Sequence, residues 1–128
     1  MTDSPADLAA RVAELDARVR ELEAVQQLIL RIMSTTKPLD AVLEHYGATQ
    51  SQGQAFYKLL DDLVLRARGS EQDQPTFGYF VLQLDRVFPA LRNDRGFIQI
   101  LIDTLKLERP AYRKLYAYAI ANGWPTWP

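Results

Sequence analysis

LAARVAELDARVRELEAV, residues 8–25, carries the strongest periodic signal in the sequence. Apolar residues fall at Leu8, Val12, Leu15, Val19 and Leu22, then at Ile29 and Met33, in steps that alternate between four and three. Gln26 fills the one gap. This spacing is a heptad, with Leu8, Leu15, Leu22 and Ile29 at d and Val12, Val19, Gln26 and Met33 at a. Ala10, Ala17 and Ala24 take the outermost f positions, where strong helix formers serve when packing does not decide. Pro5, with Asp3 or Ser4 before it, supplies a helix start. The run spans a little over three heptads, near the lower limit for a coiled coil.

The charges flanking the seam select a partner and an orientation. Arg11 and Arg18 occupy g; Asp16 and Glu23 occupy e. In a parallel two-stranded coil, g of one helix meets the following e of the other. That pairs Arg11 with Asp16 and Arg18 with Glu23, twice each in a homodimer. In an antiparallel homodimer arginine faces arginine and acid faces acid. Each exposed pair is worth only about 0.3–0.5 kcal/mol, but the swing from attraction to repulsion accumulates. Val at a with Leu at d also favours two parallel strands, and a polar Gln26 at a acts as a register device. The stretch therefore predicts a parallel homodimer whose interface is Leu8, Arg11, Val12, Leu15, Asp16, Arg18, Val19, Leu22, Glu23, Gln26 and Ile29. The competing possibility is a long amphipathic helix packed on its own domain. After Gln26 the apolar set widens to Val25, Leu28, Ile29, Leu30 and Ile32, which predicts that the helix leaves the coil and enters a globular core.

The rest of the chain reads as helices of a compact domain over residues 38–128, distinct from a dimerisation helix over 1–34. STTKPLD (34–40) is a breaker, and Leu39, Val42, Leu43 and Tyr46 then share a helical face that stops at Gly47. Thr49 caps a third helix with a stripe of Phe56, Leu59, Leu60, Leu63, Val64 and Ala67. RGSEQDQP (68–75) is a polar loop, the segment most expected to be mobile. Phe77, Phe80, Val81, Leu84, Val87, Phe88 and Leu91 form the next stripe, which Pro89 must bend or end. FIQILIDTLKL (97–107) fits both helical and strand spacing, and its helical neighbours favour helix. The last helix begins near Pro110 and ends at Asn122-Gly123, leaving an irregular tail, GWPTWP (123–128). The expected fold is all-α, with about six helices.

Composition narrows the function classes. The chain has 128 residues, 48% hydrophobic and 24% charged, with a formal net charge of −1. It has no cysteine, so disulfides and thiolate metal sites are excluded. MTDSPADLAARV lacks the basic and apolar regions of a signal peptide, and no apolar run is long enough to span a membrane. A cytoplasmic protein is expected. His45 is the only histidine, flanked by Glu44 and Tyr46 on a short helix, and reads as a solvated side chain. Neither metal-ligand spacing nor a phosphate-binding glycine loop occurs, so no catalytic residue, cofactor or metal is expected.

Two further surfaces are candidates. Residues 39–63 have helix-turn-helix features, with Gly47 in the turn and Gln50, Ser51, Gln52 and Gln54 on the first turns of the second helix. Glutamine can read adenine edges in a major groove. Leu43 and Gly53 depart from the usual small and β-branched residues of that motif, and Asp61 and Asp62 would repel phosphates. Arg109, Arg113 and Lys114 offer a basic face on the last helix, for phosphates or an acidic partner, or simply for solvent. Trp124 and Trp127 either dock into the protein's own groove or form an aromatic hook for another chain. The sequence thus predicts a non-catalytic homodimeric interaction or regulatory protein presenting two helical domains to a further protein partner. A dimeric helix-turn-helix DNA-binding regulator is the alternative.

Overall fold

The computed structural model describes residues 4–126. It is all-α, with six α-helices among the described residues and no strand. Helix α1 (Pro5–Ser34) is by far the longest. It starts as expected: Ser4 accepts a hydrogen bond from the Asp7 amide, and Pro5 takes the first helical position, where it loses no bond. Leu28 and Ile32 are its buried residues. Only the last turns of α1 therefore enter the core, and the body of the protein hangs from that end.

Helix α2 (Pro38–His45) packs along the end of α1, and Arg31 pairs with Glu44 at 3.3 Å. Its own N-cap residue, Lys37, contributes no side-chain bond. Glu108, 69 residues away, accepts from the Leu39 amide at 2.9 Å and caps the helix from across the fold. Gly47 has φ +75 and turns the chain. Helix α3 (Gln50–Ala67) then opens with a full capping box: Thr49 accepts from the Gln52 amide and Gln52 accepts from the Thr49 amide. Phe56, Leu59, Leu60 and Leu63 bury the expected stripe. Gly53 carries no side chain beside Leu43, where an added Cβ would lie 3.9 Å from Leu43 Cδ1.

The 68–75 loop is tied by its own turn, in which Ser70 donates to Asp73 and the Asp73 amide returns a bond to the Ser70 carbonyl. Helix α4 (Phe77–Val87) stops where Pro89 requires: Phe88 is out of the helical region, and Pro89–Leu91 form a 3-10 turn. The ambiguous segment is helical. Asp94 caps α5 (Arg95–Thr104) by accepting from the Phe97 amide, and a 3-10 turn, Leu105–Leu107, extends it. Ile98, Ile100 and Ile102 are all buried, which explains why their alternation imitates a strand: α5 is apolar around most of its circumference. Helix α6 (Pro110–Ala121) ends in Asn122 and Gly123, the latter with φ +74.

Helix α3 lies between α4 and α6, while α5 bridges α2 and α6. Two aromatic clusters fill the body. Tyr46, Phe97, Phe88 and Phe56 form a chain of ring contacts from 4.7 to 6.1 Å. Phe77, Phe80 and Tyr118 surround Trp124, which is 6% exposed. Trp124 is thus a core residue, and its candidate role as a hook is withdrawn. Its flat faces bury more area against the rings than they could leave in water without cost. Trp127 lies outside the described residues.

Candidate functional site

The seam of α1 is bare. Leu8, Val12, Leu15, Val19 and Leu22 are between 51% and 62% exposed, as much as helical neighbours alone allow. The body of the chain covers none of them, so the possibility that the heptad packs on its own domain does not hold for residues 8–22. Arg18 meets Glu14 at 2.6 Å within the helix, and both are solvated. Gln26 is exposed, and Ile29 and Val25 are half-buried.

The phase of the helix separates two faces. With 3.6 residues per turn, the seam lies about a third of a turn from Leu28 and Ile32. The body is attached on the g side, the side of Arg11, Arg18, Val25 and Ile32. The e side, with Asp16, Glu23 and Leu30, faces away. Leu30 was expected to enter the core; instead it is 66% exposed, because it falls at e, seven residues after Glu23. Met33, at a, is 75% exposed. The apolar stripe therefore runs from Leu8 to Met33 with Gln26 as its one polar interruption.

The candidate nucleic-acid residues are placed differently. Gln52 is committed to the capping box and donates through Nε2 to the Val87 carbonyl at 3.2 Å, so it is not presented to a groove. Gln50, Ser51 and Gln54 are exposed. Gln50 and Gln54 border a shallow groove shared with Asp40 and Glu44, whose carboxylates oppose a phosphate backbone. Arg109 lies over the Tyr112 ring at 4.2 Å and pairs with Asp61 at 3.2 Å. Arg113 and Lys114 are exposed on the outer face of α6.

The polar chemistry of the surface is organised by two tyrosines, one on α3 and one on α6, whose hydroxyls no sequence pattern singles out. Tyr57 donates to Asp40 at 2.5 Å, and Tyr112 donates to Asp61 at 2.8 Å while also accepting from Arg109. Burial, together with the hydrogen bond to Asp40, drives the Tyr57 phenol far above its ordinary value. Burial and the bond to Asp61 push Tyr112 up to about 12, against the opposing pull of Arg109. Both phenols therefore stay neutral donors. Their rings wedge α2, α3 and α6 together, which is a structural task. His45 is exposed with its ring edge-on to Tyr46 at 5.2 Å. Among the described residues no group of three or more His, Asp or Glu side chains could hold a metal ion, and no helix is long and apolar enough to cross a membrane.

No protein-family model, curated protein or solved structure matches the chain.

Proposed function

We propose that this chain is a non-catalytic homodimeric interaction protein, in which α1 forms a short parallel coiled coil and displays two helical bodies side by side. The observation that carries this reading is the bare stripe Leu8–Val12–Leu15–Val19–Leu22 on a helix that leaves its own domain. Most of the stability of a helix in a protein comes from packing of its apolar face rather than from propensity, and on this stretch of α1 that face is bare. The flanking charges supply the choice of occupant: Arg11 and Arg18 at g complement Asp16 and Glu23 at e only in a parallel pair of identical helices. Two linked bodies then bind a repeated or dimeric protein partner with an effective concentration that a monomer lacks.

Supporting the non-catalytic part, the surface carboxylates Asp40, Asp61 and Asp62 are engaged by tyrosine hydroxyls or arginines. The test is the solution molar mass by light scattering of the full chain and of a chain lacking residues 1–22. That cut leaves Leu28 and Ile32 in the core. A mass of two chains falling to one on truncation supports the reading. A full chain that is monomeric at high micromolar concentration overturns it.

A further inference from the structure

The end of α1 borders a groove of about 270 Å³ between that helix and the α5 end of the body. Ile29, Ile32 and Met33 form one wall; Ile100 and Leu107 form the other. Its rim charges, Asp103 and Lys106, neutralise each other at 3.0 Å. Thr104 spends its hydroxyl on the Ile100 carbonyl at 2.6 Å. The rest of the lining is apolar. Leu107, on the 3-10 turn, is 48% exposed.

Heptad geometry relates this groove to the seam. In a parallel coil the side chain at a inserts between the d, g and a residues of the facing helix. For Met33 those are Ile29, Ile32 and Met33 of the other copy, the same three residues that line the groove. The g-to-e rule pairs Val25 with Leu30 of the other copy, an apolar pair that succeeds the charged pairs Arg11–Asp16 and Arg18–Glu23. The exposure of Leu30 and Met33 is thereby accounted for by one occupant.

Resting on the coiled-coil reading, we infer that the dimer interface continues beyond the coil: Met33 of each copy seats in the groove walled by Ile29, Ile32, Ile100 and Leu107 of the other. The contact is isologous, so the two grooves fill reciprocally and the assembly closes at two chains. An unbranched thioether suits such an irregular gap. The two bodies are then clamped against each other, not tethered loosely, and their spacing is set by the protein.

Sedimentation equilibrium on full-length variants tests this. Leu107→Glu, and the milder Leu107→Ser, are expected to weaken dimerisation at least about tenfold with helix content unchanged by circular dichroism. Leu65→Glu, at a still more exposed leucine on α3 away from the groove, should leave it unaltered. A monomeric parent chain would overturn the coil itself. A dimer that Leu15→Asp breaks but Leu107→Glu and Leu107→Ser leave intact overturns the clamp and leaves the coil standing.

Discussion

The indole of Trp124 stacks on the ring of Phe80, with centroids 5.5 Å apart and planes 17° from parallel. Phe77 and Tyr118 meet the same indole edge-on, at 5.9 and 6.0 Å. Trp124, three residues beyond the end of the last helix, thus locks the C-terminal segment to α4. Tyr118 closes the arrangement by donating to the Pro75 carbonyl at 2.6 Å, which ties the 68–75 loop to α6. Trp124→Ala is expected to cost about 3–5 kcal/mol, the range for removing a buried large aromatic. Urea unfolding followed by circular dichroism measures it. A loss below 1 kcal/mol would mean that the tail does not dock.

The bare half of α1 separates assembly from folding. Leu15→Asp buries a charge in the proposed coil but touches nothing in the body. It should convert a dimer to a monomer by light scattering while the denaturant midpoint of the 23–128 portion stays put. Leu28→Asp, by contrast, should unfold the body, because Leu28 is 1% exposed in the core. If the two substitutions had the same effect, the distinction between seam and core would fail.

Two glycines predict opposite signs. Gly47 sits at φ +75 with open space around its Cα, so Gly47→Ala should destabilise by about 1 kcal/mol through backbone strain alone. Gly53 lies inside α3, and an added methyl meets Leu43 at 3.9 Å, an ordinary contact. Gly53→Ala should stabilise by about 0.5–1 kcal/mol. Thermal melts of the two variants decide both.

The tyrosine donors set an alkaline limit. The Tyr112 phenol is raised to about 12 in the folded chain, whereas an unfolded tyrosine titrates near 10. The folded state therefore holds the proton more tightly. Its contribution is fully present below about pH 10 and is lost as pH rises through about 12. Tyr57 acts in the same direction. Tyr112→Phe should flatten this part of the stability curve while costing about 1 kcal/mol at neutral pH for the bond to Asp61. Absorbance titration of the phenolates, with unfolding measured from pH 9 to 12, checks the sign.

The DNA-binding alternative makes its own prediction. A helix-turn-helix dimer must bind random duplex DNA at low salt with an affinity that falls steeply as salt rises. With Gln52 capping α3 and Asp40 and Glu44 beside Gln50 and Gln54, no such binding is expected in fluorescence anisotropy. Salt-dependent binding lost in Arg113→Ala with Lys114→Ala would restore that reading.

Local chemistry explains which features could be read from sequence. The Thr49 cap, the Pro89 stop, the Gly47 and Gly123 turns and the apolar stripe of α3 each depend on residues within a turn or two of one another, so their patterns are written contiguously. The heptad of α1 and its e and g charges are legible for the same reason. Long-range facts were not. Glu108 caps α2 from 69 residues away, and no pattern near residue 39 announces it. Leu30 looked like core because it is apolar among apolar neighbours, and only the phase at which the body attaches shows that it faces outward. Trp124 could be assigned to a groove or to a hook on equal composition until the ring of Phe80 was seen beneath it.

By itself, then, the sequence determined the helices, most of their ends and the heptad phase of the apolar stripe on α1, because propensity, capping and periodicity act over a few residues. Tertiary structure alone decided which turns of α1 are buried, where Leu30, Met33 and Leu107 emerge together and where the terminal indole goes. Those outcomes depend on which surfaces compete to exclude water once all six helices are packed, and that competition joins residues far apart along the chain.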